Sequence, residues 1–95
     1  MNVTNINGTS DYTCKCGSWL AHWKNYSGQA PPTSCSQYLC TNKPEEGAHV
    51  QTATSNTWYI IPLCERHNAM QGKSIAVKGR VALAPANVSQ TCGKQ

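Results

Sequence analysis

Three short runs decide how this chain folds: Cys35-Ser36-Gln37-Tyr38-Leu39-Cys40, Gly47-Ala48-His49-Val50, and Trp58-Tyr59-Ile60-Ile61-Pro62-Leu63-Cys64-Glu65-Arg66-His67-Asn68. Two pairs of soft side chains flank a short apolar stretch. Cys35 and Cys40 are spaced to curl round one point as a knuckle. Cys64 and His67 stand three apart, so on a helix both project from one face of its first turn. Between the pairs, residues 47–54 suit a strand, 55–57 a turn, and 58–61 a second strand rich in aromatic and β-branched residues, ended by Pro62. A helix over residues 64–70 follows, closed by Gly72.

Four Cys and His side chains brought together in this way make a tetrahedral site for Zn2+. Cys35, Cys40, Cys64 and His67 are the expected ligands. The helix start suits a thiolate at Cys64, because free N–H groups there stabilise negative charge. Knuckle, β-hairpin and ligand-bearing helix is the order of a treble clef finger. The expected fold class is therefore α+β: a small zinc-stabilised treble clef finger with its core over residues 35–72.

Working outward, Ser18 can cap a helix beginning at Trp19 and ending before Gly28, with Trp19, Trp23 and Tyr26 along one stripe. That stripe reads as core, and His22 beside it as a structural histidine. Pro31-Pro32 excludes helix from the following loop. Residues 1–13 lack periodicity and read as an irregular arm or one short edge strand. After the finger, apolar residues 75–77 and 81–83 form strand or extended chain, interrupted at Gly79 and ending at Pro85. This adds an N-terminal helix and a C-terminal extended segment to the finger.

The chain has 95 residues, which implies a single domain spanning 1–95. A chain this short draws only thin stability from the hydrophobic effect alone, and there is no Phe. Such a chain usually needs a metal or disulfides to hold it together, and six cysteines are available. The polar start has no secretory signal character and no apolar run approaches a membrane span. The expectation is a cytoplasmic protein with reduced thiols and no membrane partner. The alternative is a secreted, disulfide-stapled binding protein, which the even cysteine count and the sequons at Asn2, Asn7, Asn25 and Asn87 would suit. Cys14, Cys16 and Cys92, with His49 or His22, could hold a second zinc ion; a disulfide to Cys92 or free thiols compete with it. The net charge is +4, and residues 66–95 carry Arg66, Lys73, Lys78, Arg80 and Lys94 with no acid. Arg66, Lys73, Lys78 and Arg80 are therefore the candidate phosphate contacts, with nucleic acid as partner, DNA ahead of RNA.

The 35–68 stretch also resembles the zinc-containing branch of the HNH nuclease superfamily, the ββα-metal finger. There a cysteine pair precedes a strand bearing Asp-His or His-His, and a hairpin leads to Leu-Cys-x-x-Cys-His at a helix start. Matched to that pattern, Cys35 and Cys40 are the first zinc pair, and Cys64 and His67 the second, with His in place of Cys. The resemblance implies that His49 is a general base and that Asn68 stands where the family's last histidine helps hold a catalytic ion such as Mg2+. Ala48 replaces the acidic or histidine ligand before the base, so Glu65 or Glu46 would have to supply that ligation. The resemblance thus implies either an HNH-type endonuclease acting on DNA, or a catalytically degenerate finger serving as a structural or protein-interaction module.

Overall fold

The computed structural model describes residues 1–6, 14–30, 32–54, 56–70, 72–87 and 91. It is a mixed α and β structure in three layers. In chain order the elements are β1 (Asn2–Asn5), α1 (Trp19–Tyr26), β2 (Glu46–Thr52), β3 (Tyr59–Leu63), α2 (Glu65–Asn68), β4 (Ser74–Ala76) and β5 (Ala84–Pro85). The strands form one sheet in the order β4-β1-β2-β3-β5, with every pairing antiparallel.

The central hairpin sets Gly47 opposite Pro62, Ala48 opposite Ile61, and His49 opposite Ile60. Because successive side chains in a strand point to opposite faces, this register sorts the apolar residues into two cores. Ala48, Val50, Ile61 and Leu63 join Val3, Ile75 and Val77 on the face that carries Cys35, Cys40 and Cys64. Ile60 packs with Trp23, Ala84 and Ala86 on the other face, under α1. Residues 35–40 and α2 thus cover one side of the sheet, and α1 covers the other.

The helix α1 begins and ends as its sequence dictates. Ser18 Oγ accepts the Ala21 N–H at 3.1 Å, and Gly28 just beyond the end takes φ +73°. Such a cap is worth ~1 kcal/mol. The buried side chains of α1 are His22 and Trp23, while Tyr26 at the end of the expected stripe is exposed. The first turn of α1 lies directly on Gly47: a Cβ there would come within 2.3 Å of the Trp19 carbonyl carbon and 2.6 Å of the Leu20 nitrogen. Only a residue without a side chain lets helix and strand approach so closely.

Three expectations need correction. Residues 1–13 are no irregular arm or edge strand where they are described, because β1 is an interior strand between β2 and β4; positions 7–13 lie outside the described residues. The backbone partners on both sides, rather than apolar content, make it a strand. Pro62 does not end β3, which continues to Leu63, and the Pro62 carbonyl accepts the Ser36 N–H and hydroxyl. The helix expected over 64–70 is a single turn, Glu65–Asn68, with Cys64 at its N-cap.

Candidate metal centre

The knuckle is built by the sheet beneath it. Ser36 N–H binds the Pro62 carbonyl at 2.9 Å, Tyr38 N–H the Ala76 carbonyl at 2.9 Å, and Cys35 N–H the Asn42 carbonyl at 2.8 Å. Lys78 then locks it from behind. Its ammonium donates to Ser34 Oγ at 2.7 Å, the Cys35 carbonyl at 2.8 Å and the Cys40 carbonyl at 2.9 Å. One cation thereby ties together both ends of the turn that presents the thiols. At the other side of the site, the buried amide of Asn5 in β1 donates to the Asn68 carbonyl at 2.8 Å and holds α2 in place.

These supports bring Cys35, Cys40, Cys64 and His67 together, with one ligand atom of each lying within 4.8 Å of the others. Cys40 and Cys64 sulfurs are 3.9 Å apart; His67 Nδ1 is 3.2 Å from Cys64 Sγ and 3.5 Å from Cys35 Sγ. Two sulfurs bound tetrahedrally to one zinc at ~2.3 Å stand about 3.8 Å apart, and sulfur and imidazole nitrogen about 3.6 Å. The spacings fit a zinc-sized ion. The three cysteines are buried, and His67 is half-buried at the rim.

In the metal-free protein the thiols are unequal. Burial opposes ionisation of Cys64, but the backbone N–H and ring of His67, with Cys35 and Asn42, outweigh it and draw the thiol from 9.0 down to about 6. Burial pushes Cys35 up to about 11, against the backbone N–H groups of Gln37 and Cys64. A dication bound here would be held by the deprotonated thiols.

A second cluster lies on the other face of the sheet. Cys14, Cys16 and His22 also place one ligand atom each within 4.8 Å of one another. Two Cys/His groups in the described residues can therefore coordinate a metal ion, compatible with Zn2+. Cys92, expected to share this second site, lies outside the described residues.

Compared with protein-family models, with curated proteins and with solved structures, the chain matches none.

The remaining candidates fall in different places. His49 is buried on the α1 side, its ring edge-on to Trp19 at 4.4 Å and to Trp58 at 5.8 Å between centroids. Burial first, and the nearby His22 second, lower its pKa from 6.5 to about 4, so the ring is neutral at physiological pH. Asn68 is on the other side of the sheet, where its amide donates to Glu46 Oε2 at 2.5 Å. The structure joins Asn68 to Glu46 and does not join either to His49. Arg66, Lys73 and Arg80 are exposed, whereas Lys78 is half-buried and spends its ammonium on the knuckle. No helix among the described residues is long and apolar enough to cross a membrane.

Of the two histidines the sequence offers to Cys14 and Cys16, the structure brings His22 to them and not His49, because the helix started at Ser18 turns His22 back over the two thiols. One role escaped the sequence. Lys78 was grouped with the phosphate contacts because a lysine in a basic segment gives no local sign that three carbonyl or hydroxyl oxygens surround it.

Proposed function

We propose that this chain is a zinc finger of the treble clef kind, with Zn2+ held by Cys35, Cys40, Cys64 and His67, that binds nucleic acid without cleaving it. The convergence of those four ligand atoms on one point, from a knuckle and a helix start joined by a hairpin, carries the reading. The metal supplies folding energy, since Cys35, Cys40 and Cys64 belong to one of the two cores. Exposed Arg66, Lys73 and Arg80, in a segment without acids, favour phosphates as the partner's chemistry.

The position of His49 argues against hydrolysis. A general base must reach the attacking water beside a bound ion. His49 is enclosed by Trp19 and Trp58 with its pKa near 4, and the oxygen-bearing side chains Asn68 and Glu46 lie across the sheet. The placement of these side chains favours the non-catalytic form of the HNH-like reading.

Fluorescence anisotropy with labelled duplex and single-stranded DNA and RNA, run beside a cleavage assay in Mg2+ or Mn2+, tests this. With one phosphate each for Arg66, Lys73 and Arg80, the log–log slope of affinity against salt is about −2.7 on duplex DNA. Cleavage that disappears in His49→Ala would establish the nuclease instead. No binding at low salt would leave the protein-interaction module.

A further inference from the structure

We infer that Cys14, Cys16 and His22 form a second zinc centre, which clasps α1 to the face of the sheet opposite the first. It shares no residue with the first centre and goes beyond the proposed function.

The geometry of His22 carries the inference. Its side chain is fully buried, and Nε2 lies 2.7 Å from the Pro85 carbonyl oxygen. A carbonyl can only accept, so Nε2 carries the proton and donates it. The other ring nitrogen, Nδ1, faces Cys16 Sγ at 3.8 Å. A ring fixed by one N–H on a backbone carbonyl, with its other nitrogen aimed at thiols, is how zinc-binding histidines are oriented. The spacing is close to the roughly 3.6 Å expected for sulfur and nitrogen on one zinc.

The chain delivers both thiols to that nitrogen by a turn. Gly17, at φ +92°, lets the backbone reverse after Cys16, and its N–H meets the Cys14 carbonyl at 3.4 Å. Ser18 then starts α1, which places His22 back over the turn. Cys14 is as buried as the cysteines of the first centre. Two thiols and an imidazole form a soft donor set that selects Zn2+ over Mg2+ or Ca2+, and two thiolates balance the charge of the ion in a buried place.

The position explains what the ion does. His22 packs edge-on against Trp19 at 4.9 Å, and Trp19 covers His49. The same ring holds Pro85 of β5, while Trp23 Nε1 donates to the Ala82 carbonyl at 2.9 Å. Fixing His22 therefore fixes the first turn of α1 on Gly47, the cover over His49, and the approach of β5.

Native mass spectrometry of the full chain, reconstituted with zinc and freed of excess metal, is the test. Wild type is expected to carry two ions, and Cys16→Ser one, with a compact charge-state envelope. Should Cys16→Ser fail to fold, cadmium-113 NMR of the cadmium-substituted wild type reads the sites without mutation, and two resonances are expected. A single bound ion in wild type that Cys16→Ser retains, a single cadmium resonance, or a disulfide at Cys14 or Cys16 in protein purified with reductant would each overturn the proposal.

Discussion

Gly47→Ala is the smallest change that should separate α1 from the sheet. The added methyl would lie 2.3 Å from the Trp19 carbonyl carbon, 2.5 Å from its oxygen and 2.6 Å from the Leu20 nitrogen, all backbone atoms. No side chain can rotate away, so α1 must retreat by about 1 Å to restore ordinary contact. Overpacking of this kind costs ~1–3 kcal/mol, partly offset by the ~0.5 kcal/mol gained from stiffening the unfolded chain. A net loss of about 1.5 kcal/mol follows, which for a domain of this size lowers Tm by roughly 6–12 °C. Urea and thermal melts of zinc-loaded protein measure it. Gly79→Ala is the control, since a methyl there meets nothing within 4 Å and its stability should be unchanged or slightly raised. Hydrogen exchange should show protection lost first over 19–26 in Gly47→Ala. Wild-type stability with α1 still protected would refute the contact between helix and strand on which the second core depends.

Other consequences can be tested in parallel. Cys64→Ser should lose the first ion and unfold, because ~10–16 kcal/mol of zinc binding exceeds the net stability of a domain this small; a folded variant with its full zinc content, by circular dichroism and metal analysis, would contradict the ligand set. Lys78→Met should speed zinc loss to a chelator about 10-fold while Lys78→Arg retains more of the wild-type rate, since the cation braces Cys35 and Cys40 through their carbonyls; equal rates for all three would remove it from the metal centre. Burial holds His49 at about 4 against 6.5 unfolded, so the unfolded chain binds the extra proton. Its contribution is fully present above pH 6.5 and is lost as pH falls toward 4, by at most ~3 kcal/mol. The pH dependence of the urea midpoint between 7 and 5 should therefore be shallower in His49→Phe than in wild type; identical slopes would place His49 in water.

What could be read from the sequence was what local spacing encodes. The cysteine and histidine spacings at 35, 40, 64 and 67 pick out four side chains that the structure gathers, because a knuckle and a helix turn are each built within six residues. Ser18 and Gly28 mark the ends of α1 for the same reason. The interior placement of β1 could not be read, since Asn2-Val3-Thr4-Asn5 has one apolar side chain and becomes a strand through partners near positions 51 and 75. Nor could the separation of His49 from Asn68. Only the register of β2 against β3, with α1 seated on Gly47, sends the two to opposite faces. The role of Lys78 depends on contacts across some forty residues.

The most direct test of the central claim is anomalous diffraction from crystals of the wild-type protein, with data on both sides of the zinc absorption edge. A zinc peak is expected ~2.3 Å from the sulfurs of Cys35, Cys40 and Cys64 and ~2.0 Å from His67 Nδ1. Continuous disulfide density among those cysteines, or a zinc ion bound elsewhere with these four side chains apart, would contradict it.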